Sequence, residues 1–445
     1  MGRRSKTGTL GLWMNGERVG RWTVPPSGVH ELAYDAAWLA SPAARPISLS
    51  LPLRPATEAY RGERVEAFFD NLLPDAKRIR ERMRRHFKAA SARPFDLLAE
   101  VGRDCAGALQ LLPEDEPPAH GKRIRGEPLS EAQVERLLAG ITAGPLGQDD
   151  ERDEELRISI AGAQEKTALL FHKDRWMRPL GATPTTHILK LPIGAVPRGI
   201  DLSTSVENEW LCAQILKAYG LPVAECVIER FGAQQVLVVE RFDRRLAEDG
   251  SWFIRLPQED LCQATATPPS RRYENEGGPG IRSVMELLLG SSAAAPDRAN
   301  FLRAQLVFWL LCGIDGHAKN FSVFLEAGGG YRLTPFYDVL SAYPVVGSGR
   351  GKLSRKKVKL AMAVEGKNRR YLWDGIARRH WNETARRCGF ARDAESLVEE
   401  LIARTPAVVE QVQARMPKGF PRAVAQPILE GLRTAARRLA SQPSG

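Results

Sequence analysis

Residues 310–324, LLCGIDGHAKNFSVF, decide how the rest of the chain is read. The apolar run LVFWLL leads into this stretch and FSVFL leads out of it, so both flanks belong in a core. Between them stand a carboxylate (Asp315), an imidazole (His317), an ammonium (Lys319) and an amide (Asn320). A core does not tolerate so many polar groups unless they are paired or serve a ligand.

Working outward, the sequence holds the parts that phosphoryl transfer needs: a backbone cradle and a lysine for phosphates, oxygen ligands for magnesium, and a carboxylate for the attacking hydroxyl. Asp315 and Asn320 have the D-x-x-x-x-N spacing of a protein-kinase catalytic loop. Eighteen residues on, TPFYDVL places Asp338 at the expected end of a short strand. Asn320 with Asp338 is a hard oxygen pair of the kind that suits a magnesium ion bridging phosphates. A five-residue Asp/Asn spacing also arises by chance, and Asp338 alone is compatible with a helix or turn cap.

Upstream, RISIAGAQEKTALL (157–170) reads as strand, tight turn, strand. Gly162 lets the backbone turn closely, so amides from Ala161 through Ala163, Gln164 and Glu165 to Lys166 form a candidate phosphate cradle, or an ordinary hairpin. Lys190 lies mid-strand in THILKLPI, where an unpaired ammonium is costly. Glu209, rather than Glu207, in the following helix SVENEWLC is its expected partner. VLVVERFDR carries a strand into Glu240, Arg241 and Phe242, a candidate backbone contact for an adenine edge.

The chain has 445 residues and is 43% hydrophobic, enough for two or three cores. No run of eighteen apolar residues occurs and MGRRSKTGTL lacks a signal-peptide core, so a cytoplasmic, membrane-free location is expected. Six cysteines show no CxxC pair, which argues for reduced thiols rather than zinc or disulfides. From Gly351 to Gly445 there are 20 Lys+Arg against 9 Asp+Glu, so this part carries the whole net charge of +11. Such an excess is either a solvated set of helix faces or a footprint for nucleic acid or an acidic partner.

Four stretches follow from the pattern. Residues 1–115 are rich in hairpins and then helices, 116–155 mix Pro, Gly and charge as a connector, 156–255 return to strands with one helix, and 256–445 are mostly helical.

In order and interval, ISIAGAQEKTALL, TPTTHILKLPIG, ENEWLC, VERFDR, LPQEDLCQA, GIDGHAKNFS and TPFYDVLSAYP resemble the HipA family, the serine/threonine kinase toxins of bacterial type II toxin–antitoxin modules. At the N-terminus ARPISLSLPLRP, FFDNLLPD and PFDLLAEVGRDCAGALQLLPED are similar to its first domain, so the likeness covers nearly the whole chain. It implies an α+β, two-lobed, protein-kinase-like fold: a strand-rich N-lobe with an additional N-terminal β subdomain, and a helical C-lobe. Of the residues, it implies Asp315 as catalytic base, Asn320 and Asp338 as Mg2+ ligands, and Lys190 as the ATP-phosphate lysine. Ala161 to Lys166, Glu240 to Phe242, His317, Ala318, Lys319, Asn320, Tyr337 and Asp338 are the implied ATP contacts, and Ser159 the implied autophosphorylation site. A phosphate on Ser159 would disfavour the ATP-binding form of the adjoining loop.

The resemblance further implies a helix-turn-helix antitoxin of the HipB kind, repression of the operon through operator DNA, and a protein substrate, with aminoacyl-tRNA synthetases as the precedent. Arg386 matches a DNA-contact position; the second expected basic residue falls on Gly389, for which Arg387 is the substitute. The alternatives are a small-molecule kinase and a catalytically inactive DNA-binding corepressor.

Overall fold

The computed structural model describes residues 7–114, 116–118, 122–142, 164–196 and 199–443. Its first unit begins with the strands Gly8–Met14 and Glu17–Val24, joined by Asn15 and Gly16, both at positive φ, the two-residue turn whose twist suits a hairpin. Glu31–Tyr34, Tyr60–Arg61 and Leu109–Pro113 complete a five-stranded sheet with Leu109–Pro113 at one edge. Trp22 stacks on Phe69 of the helix Glu63–Asp70 in a core closed by Phe95, Leu97 and Leu98. A break at Pro74 and Asp75 separates this helix from Lys77–His86.

The stretch PISLSLPLRP, despite its alternation, forms only an isolated bridge between Ser48 and Leu51. Its polar groups are spent on docking instead. Tyr34 Oη accepts from Ile47 N–H and donates to Leu51 O, and the Ser48 and Ser50 hydroxyls both donate to Gln263 O. Leu49 N–H donates to Glu259 Oε1 at 2.7 Å, which ties the loop to the second half of the chain.

The second sheet is antiparallel throughout and six-stranded, in the order Cys226–Phe231, Gln234–Glu240, His187–Lys190, Lys166–His172, Arg175–Pro179 and Gly126–Pro128. Its last strand, with the amphipathic helix Glu131–Thr142, comes from the stretch read as a connector; Val134 and Leu138 pack on Leu169, Leu189 and Val236. On the other side lies the helix Ser205–Ala218, buried along almost its entire length because it is wedged between this sheet and the helices that follow.

Beyond residue 256, Ala294–Leu310, Arg378–Arg387, Ala391–Arg415 and Arg422–Ala440 are the long helices. A three-stranded sheet, Gln258–Asp260, Ser322–Leu325 and Tyr331–Leu333, crosses this helical part. The hairpin of Lys359–Glu365 with Arg369–Leu372 was not legible by alternation, since six successive residues of KLAMAVE are buried. No described helix is long and apolar enough to cross a membrane, and all six cysteines are free and buried.

Where the first unit meets the second sheet, five buried ionic side chains interlock. Asp104 pairs with Arg241, Arg244 and Arg255, and Asp243 with Arg241 and Arg244, at 2.9–3.3 Å. Thr185 N–H and Gly107 N–H saturate the two carboxylates further. Breaking one member of such a group leaves an uncompensated buried charge. Asp104→Ala is therefore expected to lower stability by about 3–5 kcal/mol in a urea titration.

Glu259 supplies a second, pH-dependent signature of the same junction. Burial pushes its carboxyl up to about 8, so the folded chain holds a proton that the unfolded chain releases near 4.5. Stability is full below that lower value and is lost as pH rises through the upper one. Glu259→Gln, which keeps an acceptor for Leu49, should match the wild type near pH 5 and exceed it by at least ~1 kcal/mol at pH 8, measured by denaturation at both.

Candidate active site

The loop that opened the sequence reading is held at both ends by core. The helix Ala294–Leu310 delivers the chain, Cys312 turns it at φ +51°, and Ser322–Leu325, buried at every position, takes it away. Between these anchors the polar residues have little freedom. The Asp315 carbonyl accepts from His317 N–H at 2.8 Å and from Asn320 Nδ2 at 2.7 Å. Its carboxylate Oδ1 accepts from the Tyr273 hydroxyl at 2.5 Å. Although 54% of this side chain is open to solvent, it stands deep in a cleft, and that desolvation raises its carboxyl against the lowering effects of His317 and Tyr273.

Across the cleft, Lys190 Nζ donates to Glu209 Oε1 at 2.6 Å and to Asp338 Oδ1 at 3.0 Å. Strand register sets Lys166 beside it, since the two lysines are direct partners across Lys166–His172 and His187–Lys190. Burial and the neighbouring Lys190 charge bring Lys166 down to about 8. Burial alone would raise Asp338, but Lys190 and Lys166 outweigh it and hold the carboxyl at about 2. Burial raises Glu209 despite its cationic partner, and lowers Lys190 less than Asp338 and Glu209 raise it.

Asp338 departs from the sequence expectation in one respect. The strand Tyr331–Leu333 ends five residues before it, and Asp338 sits in irregular chain at φ +59°, a conformation that costs a non-glycine residue free energy. Its bond to Lys190 and the packing of Phe336 and Val339 on either side hold it there.

One cleft is lined by Lys166, Lys190, Glu240, Arg241, Phe242, Asp315, His317, Lys319, Asn320, Tyr337 and Asp338. Within that set several side chains are committed to the protein. Arg241 faces inward to the buried ion group, and its own N–H and C=O are bonded to Thr186 O and Arg244 N–H. Lys319 Nζ donates to Asp75 Oδ1 at 2.8 Å and to Asn71 O at 3.2 Å, both from the N-terminal unit. Tyr337 Oη bonds Ser322 and donates to Lys319 O, while its ring and that of Phe242 lie 5.7 Å apart. Ala318 is buried in the turn. His317 Nδ1 is buried without a hydrogen-bond partner among the described residues.

Of the candidate phosphate cradle, Gln164 Nε2 donates to Leu191 O and Glu165 pairs with Arg82 and, at 3.5 Å, with Arg78. Ser159, Ala161, Gly162 and Ala163 lie outside the described residues. Arg386 and Arg387 are remote from the cleft, and each is bonded to Glu383, with Arg387 reaching Glu365 as well. Glu383 thus offsets part of the charge that the sequence alone assigns to this helix.

Three contributors escaped the sequence reading. Asp75, Arg272 and Tyr273 line or border the cleft from segments far from residues 315–320 in the chain. FFDNLLPD and SRRYENEGGPG hold the residues, but neither carries a spacing that points to position 315 or 319.

The donor set of Asn320 and Asp338 is oxygen only. Asn320 Nδ2 is committed to the Asp315 carbonyl, which leaves its Oδ1 as the acceptor, and Asp338 stays ionised. Such a pair fits Mg2+, which takes one or two protein oxygens and completes its shell with water and phosphate.

Comparison with known proteins adds a lineage to this geometry. The family model of the HipA-like C-terminal domain matches residues 158–409, and that of the HipA N-terminal domain matches 10–112. The chain is 36% identical over 360 residues to Y4mE of Sinorhizobium fredii, named as a kinase, covering 79% of this chain and 82% of that one. It is 27% identical over 344 residues to the serine/threonine-protein kinase toxin HipA of Shewanella oneidensis, covering 75% and 74%. The Shewanella oneidensis HipA, solved with HipB and its operator DNA, superposes with a TM-score of 0.78 at 21% identity over 97% of each chain, which confirms the two-lobed fold.

The Lys319–Asp75 pair makes the loop depend on the N-terminal unit. Asp75→Ala, which leaves a buried ammonium without its carboxylate, should cost about 3 kcal/mol of stability and speed amide hydrogen exchange in residues 316–320, read by mass spectrometry.

Proposed function

This chain belongs to the HipA family, and from that premise we propose that it is an ATP- and Mg2+-dependent kinase that phosphorylates a serine or threonine of a protein. One observation supports this above the others: Lys190, Asp338, Asn320 and Asp315, spread over 149 positions of sequence, line a single cleft. Each then has a task that its surroundings favour. Asp315 accepts the proton of the attacking hydroxyl as that oxygen bonds to the γ-phosphorus and the bond to the ADP oxygen breaks. Lys190, kept charged by Asp338 and Glu209, meets the phosphates, with Lys166 beside it. The backbone of Glu240 to Phe242 meets the adenine edge, and the Phe242 and Tyr337 rings give that end of the cleft its apolar surface. Asn320 and Asp338 hold Mg2+, whose charge offsets that of the phosphates.

The finer reading extends to the chain itself and to its partners. Ser159 receives a phosphoryl group in self-modification, and a helix-turn-helix antitoxin neutralises the kinase and carries it to operator DNA. The relative solved with HipB and operator DNA supports this reading. Arg386 and Arg387 would share their Glu383 contacts with DNA phosphates, a sequence-independent, salt-sensitive interaction. An aminoacyl-tRNA synthetase is the substrate class proposed.

Incubation of the purified protein with γ-labelled ATP and Mg2+ should place label on Ser159, mapped by mass spectrometry. Asp315→Asn is expected to cut the rate at least ~100-fold with an unchanged melting temperature. Full labelling by a folded Asp315→Asn protein would sink the reading.

A further inference from the structure

We propose that Tyr273 is a positioning residue that orients the Asp315 carboxylate for proton acceptance. The inference rests on the kinase reading of Asp315 and adds to it a residue from the segment 266–280.

The need for such a residue comes from how little else holds the carboxylate. His317 Nε2 is 4.0 Å from Asp315 Oδ1, beyond hydrogen-bond reach. The bonds from His317 N–H and Asn320 Nδ2 end on the Asp315 carbonyl, so they fix its backbone and leave the side-chain torsions free. Among the described residues, the Tyr273 hydroxyl is the group that hydrogen-bonds the carboxylate, and it engages Oδ1. Oδ2 is left for the substrate hydroxyl.

Tyr273 can do this because its own position is fixed from several sides. Its ring meets the His317 ring edge-on, with centroids 5.0 Å apart at 86°. The Arg272 guanidinium lies 5.0 Å from the ring centroid, and Arg272 O accepts from Ala318 N–H of the catalytic loop at 3.3 Å. On the other side, Glu274 Oε2 accepts from Ala363 N–H at 2.5 Å and Oε1 lies 3.5 Å from Arg369. With both chain neighbours anchored, the hydroxyl arrives at a set point, and little torsional entropy remains to be lost when substrate binds. In the transfer step the substrate proton passes to Asp315 while Tyr273 keeps its own.

The test compares Tyr273→Phe with the wild type, using γ-labelled ATP, Mg2+ and a degenerate serine/threonine peptide library. Phe keeps the ring that packs on His317 and removes one oxygen, so a packing role alone leaves transfer unchanged. Positioning predicts that kcat falls about tenfold, with KM for ATP and the melting temperature unmoved. Wild-type kcat in Tyr273→Phe, or a loss expressed in KM alone, would overturn the proposal provided that Asp315→Asn is inactive in the same assay. Wild-type transfer by Asp315→Asn would instead remove the base assignment, and this proposal with it.

Discussion

The buried ion group of Asp104, Asp243, Arg241, Arg244 and Arg255 is the constraint from which the architecture follows. Three guanidinium groups against two carboxylates leave a surplus of one positive charge in the interior. Burial lowers Arg255 to about 10 against the raising effect of Asp104, and Ala182 O takes one of its N–H groups. Coulomb attraction in such a site repays desolvation only when geometry and hydrogen bonding are both good. Asp104 comes from the N-terminal unit and Arg241 and Asp243 follow the strand Gln234–Glu240, so satisfying the charges fixes one unit against the other. It also settles the path of residues 240–242. The Arg241 side chain is drawn inward, and its N–H and C=O are taken by Thr186 O and Arg244 N–H, so residues 240–242 are held at the cleft edge.

A similar economy governs the cleft. Lys190 is bracketed by Glu209 and Asp338, Lys319 by Asp75 and the Asn71 carbonyl, and Lys166 stands near the same carboxylates. No ammonium among these three is left to face a low-dielectric wall without an acceptor or a carboxylate nearby. Lys190 and Lys166, adjacent across two strands, repel each other, and burial together with this repulsion lowers Lys166 to about 8. A polyanion entering this space would relieve the repulsion, whereas a neutral ligand would leave it standing. The strand register thus gives the cleft a charge character that individual side chains alone would not.

Much of this was legible because the sequence places polar residues where apolar ones belong. Lys190 in THILKLPI and Asp315 to Asn320 between LVFWLL and FSVFL are local violations, and violations of that kind mark sites. Lys190 needed a carboxylate, and the next helix supplied one at Glu209, nineteen residues on. The elements were legible where turn residues marked their ends, as in Gly8–Met14 and Glu17–Val24 on either side of Asn15 and Gly16. They were not legible where tertiary contacts override alternation: residues 46–55 surrender strand pairing to dock on Gln263 and Glu259, and KLAMAVE is buried on both faces. Tyr273 and Asp75 stayed hidden for another reason. Each reaches the site across the fold, 42 residues from Asp315 and 244 from Lys319, and no spacing rule spans such distances.

These long-range contacts bear on what counts as the catalytic unit. A two-lobed transferase needs only a sheet, a helical lobe and the cleft between them, which here means residues from about 126 onward. Yet Lys319 of the cleft is neutralised by Asp75, and Arg241, Arg244 and Arg255 depend on Asp104 for half of their carboxylates. Without the N-terminal unit, Asp243 would be the one carboxylate left in the ion group, and Lys319 would lose the Asp75 carboxylate and the Asn71 carbonyl that accept from it. Buried cations in that state cost several kcal/mol each, comparable with the total stability of a domain. The N-terminal unit is therefore a structural part of the two-lobed half, joined to it by charge as well as by apolar contact.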